Sequence, residues 1–440
     1  MSLTKKIFQV LFLLSFSLFV FLLFKIKFQI LSAISGYYFL ELITLFLLMF
    51  ISVFVVIIPE KYNELKEYTL ILLISIFFSF YLFEVYLGYT KNQPEGRINY
   101  TKKILSNLFN DQFDKKSKFR KYKDLKTDNK EASIYIQPNL FLINKNKKIH
   151  TLSGVSNAIT LYCNENGFYT VYKSDRYGFN NNDSIWDKKK IDYLLIGDSF
   201  VHGACVKNDE NLASNLARSS NKNVLNLGQG GSGPLDQLAT LIEYSKLEVK
   251  KVVWFFYEGN DLESLNKNKS TDFLQSYLNI DDFNQNLIKQ NDFADELKKS
   301  VIDKVHKVNS KLSFLKLYQT RLFFKEAIKN KKKKEDLNYD LFKKVITKAK
   351  KFSQNKNSKF YFVYLPEFSR FSNNEIDEKK YFKVKKIIKD LNINFIDVKT
   401  NIFLKKTDPL SLFPFRMNGH YTSEAYNEIA NYIYLNSKEK

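Results

Sequence analysis

The chain has 440 residues, more than one ordinary domain holds, with two cysteines and a formal net charge of +22. The charge comes mostly from lysine, in Lys/Asn-rich stretches such as 330–334, without an arginine-rich recognition helix, an aromatic RNA-binding strand or zinc spacing. Nucleic acid is therefore not an expected partner; a solvated lysine surface, or attraction to anionic lipid headgroups, explains the charge better.

The first ninety residues read as membrane. Residues 7–24 form an apolar run bounded by Lys5 and Lys6 on one side and Lys25 and Lys27 on the other; 37–58 and 69–89 follow. Crossing a hydrocarbon core takes about 20 helical residues, so three spanning helices are expected. A cleavable signal peptide is the rival for the first run, but lysines follow it rather than a small-residue cleavage site. Glu41 and Glu84 sit near the ends of their segments, where a carboxylate reaches the interface. Lys5 and Lys6 favour an inside N-terminus, which puts everything after Tyr89 on the extracytoplasmic side of an inner membrane, although the basic segment from Lys91 to Lys103 runs against the charge rule.

Residues 90–132 are polar and basic and read as a linker, with a short helix at 100–109. A soluble domain is expected over 133–440, opening with β-rich runs around 133–137, 159–163 and 168–172. From Asp192 the chain alternates apolar strands (193–197, 224–228, 252–257, 360–365, 393–398) with helical patterns (236–247, 341–354, 376–391 and a last one after Ser423). Such alternation predicts a parallel sheet covered on both faces, an α/β domain. The long polar interval at about 262–340 reads as a helical insertion.

The ends of three successive strands carry unusual residues. Gly197-Asp198-Ser199 follows the first, the glycine-rich 228–233 loop the second, and Gly259-Asn260-Asp261 the third; Asn418-Gly419-His420 stands near the C-terminus. Ligand sites in doubly wound sheets lie at the carboxyl ends of strands. An acyl-transfer site needs a nucleophile, a base and donors aimed at a developing oxyanion. Ser199 suits the first role and His420 the second, while Ser199 N–H, Gly231 N–H and the Asn260 amide can serve as donors. Each piece has an ordinary rival: a helix-capping turn, a phosphate loop (which lacks the Gly-Lys-Ser/Thr ending), a plain turn, a core histidine. Their joint occurrence in one chain order at strand ends favours the catalytic reading. His202 reads as part of a helix surface rather than a second base. Nothing has metal-ligand spacing, and no metal or cofactor is expected.

These four blocks resemble the SGNH/GDSL hydrolase family, with Ser199, Gly231, Asn260 and His420 on its motif positions. The stretches 162–167 and 175–179 are also similar to the lead-in of its membrane-linked bacterial members. The resemblance implies a flavodoxin-like three-layer α/β/α sandwich and ester hydrolysis or acyl transfer through an acyl-serine. It also leads us to expect an aspartate three residues before the histidine, where this chain has Met417. Asp408 is the nearest carboxylate to take that role; without it the site would run as a Ser-His dyad. Cys163 and Cys205 either form one disulfide or are two separate buried thiols. The expectation is a membrane-anchored serine esterase acting on an acylated glycan or lipid. The alternatives are an O-acetyltransferase modifying a surface polysaccharide, or a glycan-binding or assembly protein with a weakened site.

Overall fold

A computed structural model describes residues 3–28, 32–91, 114, 116, 118–137, 141–144, 147–269, 271–308, 317, 319–321, 323–324, 337–372 and 378–438. The helix expected at 100–109 lies outside them. The chain divides into two compact units: one comprises 1–95, 141–149 and 306–332, the other 96–140, 150–305 and 333–440.

The first unit contains three long helices, α1 (Leu3–Phe28), α2 (Ser32–Ile57) and α3 (Asn63–Lys91). Two windows among the described residues, Leu3–Val20 and Glu60–Leu87, are long and apolar enough to cross a membrane, with mean hydropathy 1.6 and 2.2. Thr44–Ile57, within α2, is a shorter apolar stretch. The outward residues of α3 are large and apolar, Phe78 and Leu82 among them.

The second unit begins earlier than the composition suggests. Part of the basic stretch expected to be linker forms α4 (Lys118–Asp128), whose Tyr122 packs against Ala132 and Leu161. Tyr122, with the partly buried Leu125 beside it, anchors a helix that is otherwise mostly charged. Strands β1 (Ala132–Ile134), β4 (Ile159–Leu161) and β5 (Val171–Lys173) make a small three-stranded sheet, β4 pairing parallel with β1 and antiparallel with β5. The intervening strands β2 (Phe141–Asn144) and β3 (Lys147–His150) form a separate two-stranded ribbon, which apart from His150 belongs to the first unit.

The main sheet has five strands: β6 (Lys190–Ile196), β7 (Val224–Asn226), β8 (Glu248–Tyr257), β9 (Lys359–Leu365) and β10 (Asn394–Asp397). Their order is β10-β9-β8-β6-β7 and every pairing is parallel; Leu195 sits beside Asn226 on one side and Val253 on the other. This is the doubly wound arrangement, and the order reverses at β6, where a crevice opens at the strand ends. Beyond their first residues β6, β8 and β9 are apolar because both faces are covered. On one face Leu195, Val253 and Val363 pack with Leu216 of α6 (Leu212–Ser220) and with Ile429 and Ile433 of the C-terminal α12 (Ser423–Ser437). On the other, Phe256 lies 5.3 Å from Phe342 of α11 (Tyr339–Asn355), and Leu238 of α7 (Pro234–Tyr244) is fully buried. Each such side chain contributes about 1.5–3 kcal/mol of burial.

The insertion opens with α8 (Asp261–Asn268), α9 (Asp272–Asn279) and α10 (Asn291–Val308). A buried carboxylate ties it to α7. Glu243 accepts from Tyr277 Oη at 2.6 Å and from the Leu287 N–H at 2.8 Å. From residue 306 to 332 the insertion belongs to the first unit.

Candidate active site

Ser199 opens α5 (Ser199–His202), a single turn of helix immediately after β6. Asp198 caps it, its Oδ1 accepting the Phe200 N–H at 3.0 Å, and Gly203 ends it in the left-handed conformation, φ +87. Gly197 is obligatory here, since a Cβ would sit 2.4 Å from the Val201 side chain. The serine is thereby held at the carboxyl end of the first strand, with its own N–H unused by any intrahelical carbonyl.

His420 reaches the same point from the C-terminus. Its Nε2 lies 2.8 Å from Ser199 Oγ. Its Nδ1 lies 3.0 Å from both carboxylate oxygens of Glu165, whose Oε2 also accepts the His420 backbone N–H at 2.6 Å. Because Nδ1 faces an acceptor-only carboxylate, Nδ1 carries the proton and Nε2 is free to take one from the serine hydroxyl. Burial opposes the charged imidazole, yet Glu165, helped by Asp198, holds the His420 pKa above the ordinary histidine value. The ring also rests on Phe200, centroids 4.8 Å apart.

The carboxylate behind His420 is therefore Glu165, and the expectation of Asp408 is corrected. Asp408 caps the 3-10 turn Pro409–Leu412, accepting from Leu410 N–H at 3.1 Å, and pairs with Arg416 Nε at 2.7 Å. It is well exposed and makes no bond to His420. The Pro409 and Pro414 turns direct that loop away, and the acid comes instead from the small sheet that precedes the main one.

A disulfide makes this possible. Cys163 is bridged to Cys205, Cα atoms 5.1 Å apart. Cys163 follows β4 and lies two residues before Glu165, and Cys205 lies just beyond α5. The bridge thus fastens the segment bearing the acid to the element bearing the serine. Asn166 Nδ2 adds a bond to the Cys205 carbonyl at 2.8 Å. Cys205 is bridged and so offers no thiolate to the grouping of Glu165, Cys205 and His420, whose imidazole is engaged by Ser199 and Glu165.

The three expected oxyanion donors stand in the turns that follow β6, β7 and β8. Gly231 stands in the loop after β7 at φ +80, where a side chain would be strained and would collide with Gln137 at 2.8 Å. The loop is tied to the nucleophile turn by Gln229 N–H donating to the Gly197 carbonyl at 3.1 Å. Asn260, after β8, points its Nδ2 at Asp198 Oδ2 over a long 3.4 Å. Burial pushes the Asp198 carboxyl up, against the Phe200 N–H, His420 and the Asn260 amide. Behind Asn260, Glu258 is paired with Arg370, whose Nε lies 2.7 Å from Oε2, both side chains being buried.

His202 is not on a helix surface. It is fully buried, its ring between Tyr135, Tyr162 and Tyr172 at 5.3, 4.7 and 5.0 Å, and its Nδ1 lies 3.2 Å from the Gly228 carbonyl. Burial drives its pKa down to about 4, so the ring is neutral near pH 7 and Nδ1 donates. Tyr135 Oη donates to the Gly230 carbonyl at 2.9 Å. Together they support the glycine loop from below. Tyr135 and Tyr162 directly follow β1 and β4, and Glu165 lies in the β4–β5 connection, so the small sheet positions part of the site.

Two signals touched Glu165 without naming it: it lies in the 162–167 stretch of the resemblance, and it is two residues from Cys163. A bridge to Cys205, six positions after Ser199, brings residue 165 to the nucleophile, but spacing alone does not show that the cysteines pair.

No family model and no curated protein matches the chain. Solved structures similar to it include a G-D-S-L family protein from Desulfitobacterium hafniense DCB-2, at 14% identity over 57% of this chain and 99% of that one, TM-score 0.32. A lipase/acylhydrolase from Enterococcus faecalis shares 12% identity over 56% of this chain and 94% of its own, TM-score 0.33. An acetylxylan esterase from Geobacillus stearothermophilus shares 11% over 57% and 95%, TM-score 0.33. At such identity and overlap the functional reading rests on the geometry above.

Proposed function

We propose that this chain is a membrane-anchored serine esterase that works through an acyl-serine intermediate. The observation that carries the reading is the unbroken chain Ser199 Oγ to His420 Nε2 at 2.8 Å and His420 Nδ1 to Glu165 at 3.0 Å. Ser199 Oγ attacks the ester carbonyl and its proton passes to Nε2. The carbonyl electron pair moves onto oxygen, where the N–H groups of Ser199 and Gly231 and the Asn260 amide stabilise it. The imidazolium, steadied by Glu165, returns the proton to the departing alcohol. Water then repeats the cycle on the acyl-serine.

Glu165 supplies the carboxylate that Met417 leaves missing, which removes the motive for a non-catalytic reading. Reading the three N-terminal helices as spans with the N-terminus inside supports an extracytoplasmic site, where a glycan- or lipid-linked acyl ester is the substrate class in reach. A disulfide suits an oxidising compartment. Full-length protein in detergent, treated with a fluorophosphonate probe, tests the reading: wild type labels and Ser199→Ala does not. Equal labelling of both, or of neither with no turnover of an aryl acetate, sinks it.

A further inference from the structure

Glu84 poses a problem in a spanning helix. It lies within the apolar α3, is only 3% exposed, and sits seven residues before the helix ends. A buried carboxylate in such surroundings is costly unless its oxygens are satisfied. The satisfying donors come from the insertion. Oε1 accepts the Gln319 N–H at 2.9 Å, and Oε2 accepts both the N–H and the Oγ–H of Thr320 at 2.8 Å. These are N–H groups at the opening of a helical turn, which no intrahelical carbonyl can serve. The neighbouring Phe83 meets Phe323 edge to face at 5.4 Å, and Phe323 meets Phe324 at 5.7 Å.

Phe323 and Phe324 remain 41% and 43% exposed, beside an α3 whose Phe78, Leu82 and Val85 are exposed to 64%, 54% and 54%. The insertion therefore extends an apolar surface that α3 already presents. Seven residues at 1.5 Å each place Glu84 about 10 Å below the helix end, the depth of the headgroup–acyl boundary. Lys311, Lys316, Arg321, Lys325 and the run Lys331–Lys334 give this stretch of sequence the charge that anionic headgroups attract.

We propose that residues 319–321 and 323–324 are embedded in the membrane interface, docked on α3 through Glu84 and presenting Phe323 and Phe324 to lipid. The insertion is then a second attachment of the catalytic chain to the bilayer, besides the chain leaving α3. This rests on reading α1–α3 as membrane helices, and the experiment separates the two. The native cysteines are bridged, so an environment-sensitive fluorophore can be placed on single introduced cysteines. Phe324→Cys, Phe78→Cys and Leu435→Cys proteins are reconstituted in phosphatidylcholine/phosphatidylglycerol vesicles containing a doxyl-labelled lipid. Quenching at 324 comparable to that at 78, with little at 435, is expected. Quenching at 78 without quenching at 324 overturns this inference and leaves the membrane reading standing; no quenching at either overturns both. Adding Glu84→Ala to the Phe324→Cys protein is expected to drop quenching at 324 toward the level at 435, while the same change leaves the 78 label quenched. Unaltered quenching at 324 in that variant refutes the docking role of Glu84.

Discussion

Replacing Glu165 by Gln is the sharpest test of the site. The carboxylate makes two kinds of contact, with Nδ1 of His420 and with the His420 backbone N–H at 2.6 Å. A glutamine can keep the second through its carbonyl oxygen, so the fold at Gly419-His420 is preserved. It can also present its amide to Nδ1, which favours the tautomer that places the proton on Nε2 and leaves no base for the serine. Loss of that control in a serine triad costs on the order of 10⁴ in rate, about 5.5 kcal/mol. Turnover of an aryl acetate by Glu165→Gln is therefore expected to fall by about 10³–10⁴ in kcat with KM little changed. The pH profile gives a second readout. His420 must be neutral to act as base, so activity rises with pH through its pKa, which Glu165 holds above the ordinary value of about 6.5. Removing the negative charge moves the acidic limb to lower pH. Asp408→Ala, in contrast, breaks an exposed pair with Arg416 and the cap on the Leu410 N–H, neither of which touches His420, and leaves turnover near wild type. Wild-type turnover in Glu165→Gln, with a large loss in Asp408→Ala, would refute the assignment.

Three further outcomes follow from the same geometry. Asn260→Ala, measured by steady-state kinetics, is expected to lower kcat by about 10²–10³, since one oxyanion donor contributes roughly 3 kcal/mol; an unchanged kcat removes Asn260 from that role. Cys205→Ser frees the Glu165 segment across a 42-residue separation, which the chain-entropy relation values at about 4 kcal/mol, so thermal unfolding shifts down and kcat falls more than KM changes. Loss of stability with intact kcat shows the bridge to be structural alone. His202 titrates at about 4 when folded and about 6.5 when unfolded, so the unfolded chain binds the extra proton first. Its contribution is complete above pH 6.5 and is lost as pH falls toward 4, by ~3 kcal/mol at most. The His202→Gln variant should lose that part of the acid dependence in urea unfolding, and an unchanged dependence contradicts it.

Much of this protein is legible in one dimension because it depends on local pattern. The apolar runs at 193–197 and 252–257 can only be strands covered on both faces, and they are. Gly231 reads as a residue for tight backbone because a loop of glycines admits positive φ, and it has φ +80. Ser199, Asn260 and His420 stand at element ends, where motif and secondary structure coincide. Three other features were not legible. His202 is one turn from Ser199 and looks like helix surface until three tyrosines from another sheet close over it. Glu84 looks like an interfacial carboxylate until a segment more than two hundred residues away caps it. Glu165 lies in the 162–167 lead-in, far in sequence from the four motif blocks, while Asp408 stands closer to His420.

The physical reason is the same in each case. A nucleophile turn or a glycine loop is specified by neighbouring residues, through backbone dihedrals and hydrophobic period, so the sequence alone determines it. A charge partner is specified by distance in space. His420 takes the carboxylate that chain crossing and the Cys163–Cys205 bridge bring to 3.0 Å, and only the tertiary structure could decide that this is Glu165.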